Sequence, residues 1–329
     1  MSFALRRADA PIETNNAQSV NQAPCLRPAL RPALRPALSP AVPLTATEFS
    51  FGPADYERVR RLIYEHAGIS LSDSKQAMVY SRLSRLLRDT GHSNFHDYLR
   101  WLESGGGGVG NSGSSISTST STSSSERWQS FVNALTTNLT AFFREEHHFL
   151  ELEADLLKRS GKPVRIWCNA ASTGEEPYSI AMTVHEALGP NAPVSLLATD
   201  IDTNVLAAAQ RGVYNIGARG LSAERMHRHF LKGKGDNSAL MRIKPELARS
   251  VEFRAHNLIH AQWNLGEAFD IVFCRNVMIY FDSATQHALL ERMHTAMKPG
   301  GLLFVGHSES FNDAKDLFRL RGKTIYERV

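Results

Sequence analysis

The sequence predicts an α/β fold from Val164 onward, a doubly wound parallel sheet with helices on both faces, preceded by a small all-α domain. Three observations carry this. Short apolar runs bounded by turn residues (Val164–Cys168, Val194–Thr199, Phe269–Cys274, Leu302–Val305) read as buried strands. Segments with apolar residues at helical spacing lie between them, and that alternation builds a parallel sheet. Upstream, residues 45–103 carry three helical patterns.

A chain of 329 residues, 42% hydrophobic, can bury a sizeable core and divide into two folded domains. Residues 1–44 hold five Arg against one Asp and one Glu, so this tail supplies +3 of the +4 formal charge. The remainder is nearly neutral, and nucleic acid is not an expected partner. Cys25, Cys168 and Cys274 lack metal spacing, and the last two sit in apolar runs, as buried thiols in a reducing cytosol would. No apolar run approaches membrane-spanning length and no signal-peptide core is present. A soluble, cytoplasmic, monomeric protein without membrane insertion is expected.

In chain order, residues 1–44 are expected to be a disordered Pro/Ala/Arg tail, because Pro28, Pro32 and Pro36 recur every fourth residue and remove helix hydrogen bonds. Residues 45–103 form the helical domain: Ala54–Ala67 stopping at Gly68, Ser74–Asp89 stopping at Gly91, and Phe95–Leu102. The second helix buries Val79, Leu83, Leu86 and Leu87 and sets Arg82, Arg85 and Arg88 roughly opposite, with no acid between Lys75 and Arg88. A solvated basic face and a docking surface for an acidic partner are both open for such a stripe. Residues 104–125, rich in Gly, Ser and Thr, predict a flexible linker. The second domain is assigned to 126–329, with helical sequence resuming near Glu126.

There the first strand, Val164–Cys168, runs into the small residues Ala170 to Gly174. Glu175, Glu176 and Pro177 open a helix that ends at Gly189. The strand Val194–Thr199 ends in Asp200, and a helix follows from Thr203 to Gln210. About 213–250 is too long for one sheet connection and predicts an inserted β-subdomain, with a helix over Ala223–Phe230 and an alternating run over Leu240–Lys244. Strands at Val251–Phe253 and Phe269–Cys274 come next. Ser283 and Gln286 suggest a capping box for a helix reaching Met297, which Lys298–Gly301 ends. Leu302–Val305 and Thr324–Tyr326 complete the sheet.

Ligands of open α/β sheets bind beyond the carboxyl ends of the strands. Those ends here carry Asn169 to Glu175, then Asp200, Asn257 with Leu258, and Asn276 with Tyr280. An acid ending the second strand commonly accepts hydrogen bonds from ribose hydroxyls. The glycine fingerprint of dinucleotide sites is absent, and carboxylates at the turn would repel a pyrophosphate. A phosphate-free adenosine fits better, and S-adenosylmethionine, with its sulfonium and ammonium charges, meets that description.

Thr137-Asn-Leu-Thr-Ala-Phe-Phe-Arg-Glu145, Ala171-Ser-Thr-Gly-Glu-Glu-Pro-Tyr-Ser179, Phe273-Cys-Arg-Asn-Val-Met-Ile-Tyr-Phe-Asp282 and Gly306-His-Ser-Glu309 resemble the CheR family of chemotaxis receptor glutamate O-methyltransferases. The resemblance spans roughly Ala46 to Tyr326 and implies a Rossmann-like S-adenosylmethionine-dependent methyltransferase domain. It implies cofactor contacts at Asn138, Thr140, Arg144, Glu175, Asp200, Asn257, Leu258, Asn276 and Val277, and places Arg144 and Tyr280 at the methyl-transfer centre. It implies that Arg82, Arg85 and Arg88 dock the cytoplasmic methylation region of the receptors. In some members the β-subdomain holds a receptor C-terminal peptide, and the Gly233-Lys-Gly235 turn is similar to theirs. S-adenosylhomocysteine would be the product, and no metal is expected from the histidine spacing. The alternatives are a non-catalytic S-adenosylmethionine-binding module or a methyltransferase with a different acceptor.

Overall fold

The computed structural model describes residues 48–104, 123–311 and 314–329, all within one compact unit spanning Thr47–Val329. The expectations for the tail 1–44 and for nearly all of the 104–125 linker lie outside the described residues.

Helix α1 (Pro53–Ala67) starts on a proline, with the Asp55 carboxylate accepting the Gly52 amide at 3.0 Å, and ends at Gly68. A short 3-10 turn, Asp73–Lys75, leads into α2 (Gln76–Thr90), so the single helix expected from Ser74 is two consecutive pieces. Helix α3 (Phe95–Glu103) is capped by the Asn94 side chain, and α4 (Ser124–Leu135) by Ser123 with Glu126. Val59, Ile63, Val79, Leu83, Phe95 and Leu99 make the shared core. Phe131, Val132 and Leu135 of α4 belong to the same core, so α4 completes the helical unit although the sequence grouped it with the sheet.

The remainder is built from α5 (His147–Lys158), β1 (Val164–Cys168), α6 (Glu175–Leu188), β2 (Val194–Asp200), α7 (Thr203–Arg211), β3 (Val213–Asn215), α8 (Ala223–His229), β4 (Phe230–Lys232), β5 (Leu240–Ile243), α9 (Pro245–Ala248), β6 (Val251–Ala255), β7 (Phe269–Cys274), α10 (Ser283–Ala296), β8 (Met297–Val305), β9 (Phe318–Gly322) and β10 (Ile325–Arg328). The main sheet runs β6-β2-β1-β7-β8-β10-β9. Its first five strands are parallel, while β10 pairs antiparallel with β8 and with β9. Strand β1 alternates strictly. Ile166 and Cys168 enter the core that includes Phe149 and Ile180, whereas Trp167 enters the opposite core with Leu289 and Met293 of α10. Burial on both faces is why these strands read as continuous apolar runs. The small sheet β3-β5-β4 is antiparallel and occupies the 213–250 interval.

Three local expectations change. Helix α10 is capped by Asp282, whose carboxylate accepts the Thr285 amide at 2.8 Å, while Gln286 donates instead to the carbonyls of Met278 and Phe281. The helix stops at Ala296, and Lys298–Gly301 already lies in β8, where pairing with β7 shifts register between Phe269 and Ile271. Strand β9 and helix α5 had no counterpart in the sequence reading. In β9, Arg319, Leu320 and Arg321 are all exposed at the sheet edge, which erases the period-two signal.

The strand order places the site. From β1 the chain moves outward to β2 and β6, and from β7 in the other direction to β8, so the sheet reverses between β1 and β7. The crevice outside the carboxyl ends of those two strands is where such a sheet receives a ligand.

Candidate active site

A cavity of about 540 Å³ occupies that crevice. The loop after β1 contributes Asn169, Ala170 and Ser172, the end of β2 gives Asp200, the loop after β6 gives Asn257 and Leu258, and the turn after β7 gives Asn276, Val277 and Tyr280. The segment after α4 adds Asn138, Thr140 and Arg144. Ile69, Leu71, Lys75 and Met78, from α2 and the stretch before it, close another side. That helical wall has no signal in the sequence, which offered the helical domain only as a docking surface.

Backbone strain concentrates here. Among the described non-glycine residues with positive φ are Phe143, Glu145, Ser172 and Asn276, all in the segments that shape the cavity. Gly174 opens α6 at φ 100°, and a Cβ there would lie 2.7 Å from the Tyr214 hydroxyl and 2.9 Å from the Ala209 methyl. Only glycine lets the β1 turn pack this closely against α7.

Asp200 is buried, and burial pushes its carboxyl up to about 6. One oxygen accepts the Ser172 amide at 2.8 Å and the other the Asp202 amide at 2.9 Å. These two bonds aim the carboxylate and leave lone pairs for a hydroxyl-bearing ligand. Asp202 fixes the neighbouring segment by accepting from Thr136 Oγ1 at 2.6 Å and Asn138 Nδ2 at 2.9 Å. Arg144 Nη1 donates to the Leu139 carbonyl at 3.2 Å, which folds this segment back on itself. Asn257 Nδ2 donates to the His66 carbonyl at 2.7 Å, so a cofactor candidate also ties the sheet to α1.

Glu176 and Glu175 have separate fates. Glu176 is buried and paired with the fully buried Arg275 guanidinium at 2.5 Å, and also accepts from Cys168 Sγ at 3.4 Å. Burial raises its carboxyl while Arg275 pulls it back. The second carboxylate inferred at the ligand end is therefore spent on an internal ion pair, one whose breaking would cost about 3–5 kcal/mol. Glu175 does not line the cavity. It lines an adjoining groove of about 530 Å³ that shares only Thr140 with it, and its carboxylate accepts from Thr173 Oγ1 at 2.6 Å.

Arg82 donates to the Leu135 and Thr136 carbonyls at 3.0 and 2.6 Å, filling acceptors at the end of α4. Arg85 and Arg88 are exposed, 3.9 Å from Asp89 and 3.1 Å from Glu48 respectively. The stripe expected to act as one surface thus divides into one arginine bonded to the end of α4 and two exposed ones in surface ion pairs.

Near the cavity, several residues that the sequence marks only as a strand end or a motif position make contacts it does not foretell. Asn169 is 3% exposed and lines the cavity, and among the described residues its side-chain amide meets the Cys274 thiol but makes no hydrogen bond of ordinary geometry. Glu309 accepts the amides of Asn276 and Gly306 at 2.8 and 2.6 Å and of Met278 at 2.8 Å, bracing the turn after β7. Glu145, His147 and His148 bring ligand atoms within 4.8 Å of one another, despite histidine spacing that predicts no metal. The Arg275 guanidinium, 3.4 Å from the Glu145 carboxylate, supplies the positive charge there.

The arrangement suits a nucleoside without phosphates. The β1 turn offers no glycine-rich phosphate cradle, Asp200 offers an acceptor, and the Asn169 amide asks for a polar ligand.

Residues 138–326 match the model of the CheR methyltransferase SAM-binding domain, and residues 54–109 that of the CheR methyltransferase all-alpha domain. The chain is 47% identical over 283 residues to a chemotaxis protein methyltransferase of Klebsiella aerogenes, covering 85% of this chain and 91% of that protein. It is 47% identical over 284 residues to chemotaxis protein methyltransferase 2 of Pseudomonas aeruginosa, covering 85% and 94%. The chemotaxis protein methyltransferase of Escherichia coli is 46% identical over 276 residues, covering 83% and 90%.

Proposed function

The chain belongs to the CheR methyltransferase family, and from that premise we propose that it transfers the methyl group of S-adenosylmethionine to glutamate side chains of chemotaxis receptors, forming glutamyl methyl esters. One observation carries the reading: Arg144 and Tyr280 line the same cavity as Asp200 and Asn257, at the reversal of the sheet.

S-adenosylmethionine, when bound, supplies a methyl group activated on a sulfonium. Asp200 would accept from the ribose hydroxyls and Asn169 and Asn276 would offer amide groups to the ligand, while Asn138 and Asn257, whose Nδ2 atoms already donate within the protein, would offer only remaining acceptor positions. Leu258 and Val277, both lining the cavity, would give its base an apolar bed. Glu175, across Thr140 from the cavity, adds negative potential favourable to a cationic ligand. The acceptor glutamate needs no base, because its pKa near ~4.3 leaves it ionised at pH 7. Transfer cancels the carboxylate and sulfonium charges, so water would favour the separated ions and slow the step. The work of the chain is therefore alignment and exclusion of water. With the cofactor bound, Arg144 would orient a carboxylate, Tyr280 would offer its hydroxyl as a donor at the transfer centre, and Leu71, Leu258 and Phe281 would exclude water from the cavity they line.

Receptor recognition is assigned to α2, and the small β3-β5-β4 sheet is proposed to hold a receptor C-terminal peptide. The decisive measurement is methyl transfer from labelled S-adenosylmethionine to a receptor cytoplasmic fragment. Alkali-labile label on glutamates is expected, and Arg144→Ala and Tyr280→Phe should each cut turnover at least about tenfold. Label that survives alkali would refute ester formation, and full turnover in both variants would remove these residues from the transfer centre. Bound cofactor with no transfer to any receptor fragment would favour a non-catalytic module.

A further inference from the structure

We propose that Leu139 and Ile279 form an apolar rim at the mouth of the cavity that seats the hydrophobic side chains flanking the acceptor glutamate on an acidic, amphipathic helix. The inference rests on the methyl-acceptor reading above and adds a determinant that charge alone does not supply.

Leu139 is 82% exposed, the highest value among the exposed large hydrophobic residues described, and Ile279 is 52% exposed. Both border the cavity, so both stand at its opening. An exposed leucine by itself needs no explanation. Two at one cavity mouth, each presented by a fastened backbone, form a patch of the kind that marks an interaction site. Leu139 is pinned on both sides. Its carbonyl accepts from Arg144, the preceding Asn138 carbonyl accepts from Ser172 Oγ at 3.1 Å, and the Asn138 side chain donates to Asp202. Ile279 lies in the turn Met278–Tyr280, held at one end by the Met278 amide on Glu309 and at the other by the Ser70 amide on the Tyr280 carbonyl at 2.8 Å.

Charge identifies the occupant. Lys75 and Met78 of the α2 region line the same cavity, and Lys75 has no ion pair among the described residues. Beyond Lys75, which closes the 3-10 turn, α2 adds two exposed cations, Arg85 and Arg88, the farther about 20 Å along at 1.5 Å per residue. A partner lying along that face must be acidic and elongated. On a helical partner, side chains three and four positions from the acceptor glutamate share its face. With the glutamate in the cavity beside Arg144, those neighbours fall on the rim, where apolar side chains cover Leu139 and Ile279. The Leu139–Arg144 bond then links the seating of the flank to the group proposed to orient a carboxylate.

The test is steady-state methylation of a receptor cytoplasmic fragment by the full chain, with cofactor affinity measured in parallel by calorimetry. Leu139→Asn and Ile279→Asn are each expected to raise KM for the fragment about tenfold, the effect of losing one buried aliphatic contact. The kcat at saturation and the cofactor Kd should stay within about twofold of wild type. Leu139→Met should restore KM. Replacing the apolar residues one helical turn from the acceptor glutamate with Asn should raise KM for the wild-type chain but add little in the double variant. Unchanged KM in both rim variants overturns the rim while leaving the methyl-transfer reading intact. A cofactor Kd that worsens in step with KM overturns it as well, by pointing to a structural role. A wild-type chain that methylates no receptor fragment overturns the underlying reading, and the rim with it.

Discussion

Asp200, proposed to accept from the ligand, lines the cavity at a cost. Burial raises its carboxyl to about 6 from the ordinary 3.8, so the free site begins to take up a proton just below neutrality. A hydroxyl-bearing ligand prefers the ionised form, which offers acceptors only. Binding must then displace that proton below pH 6, and affinity for S-adenosylmethionine should fall by up to about tenfold per pH unit there. The sign is fixed: affinity is flat above about pH 7 and weakens on acidification through 6. Calorimetry across pH 5–8 checks this. Asp200→Asn should bind more weakly at neutral pH by ~2–4 kcal/mol and lose the acid-limb dependence. An unaltered profile in that variant would take Asp200 out of the nucleoside site.

Among the elements, α2 is the one whose face carries two kinds of residue. Arg82 supplies donors to two carbonyls at the end of α4, so Arg82→Glu should lower stability by ~1–3 kcal/mol through lost and unsatisfied backbone groups. Arg85 and Arg88 make only exposed ion pairs, which contribute little to folding. Arg85→Glu with Arg88→Glu should leave the melting temperature within a degree or two and impair methylation of the receptor fragment. That defect should shrink at high salt, where wild-type docking is screened as well. Equal melting losses for all three reversals would contradict the division. The turn that precedes α2 belongs to the same logic, since Ile69, Leu71 and Lys75 form a wall that the β-strands alone could not provide.

At the scale of the molecule, helices and sheet share the cavity and are fastened beside it. The Ser70 amide donates to the Tyr280 carbonyl at 2.8 Å, Tyr64 to Asp282 at 2.6 Å and Asn257 to the His66 carbonyl at 2.7 Å. The two parts should therefore unfold in one transition that S-adenosylmethionine raises, by ~2.7 kcal/mol at a hundred times its Kd. Gly68 sits at the seam with φ 70°, and a Cβ there would come within 2.5 Å of Ile259 Cγ2. Gly68→Ala should lower stability by ~1–3 kcal/mol and weaken cofactor binding together. Differential scanning calorimetry that resolves two transitions, only one of them moved by cofactor, would contradict this coupling.

The sequence by itself determined the elements whose signal is local. Val164–Cys168 and Phe269–Cys274 are apolar because both sheet faces are covered, and the helix ends at Gly68, Gly91 and Gly212 follow from residues that accept positive φ. It also placed Asp200 and Asn276 at strand ends, since a strand's end is visible wherever its apolar run stops, and put Asn257 just beyond a less apolar strand. Tertiary structure decided the rest. Glu176 meets Arg275 across 99 positions of chain, and Glu309 gathers amides from two loops. Periodicity reports only which face of an element is buried, and is silent on what comes to lie opposite. The choice between Glu175 and Glu176, the helical wall over the cavity and the separate duty of Arg82 all depend on such pairings. They exist only once distant segments have packed.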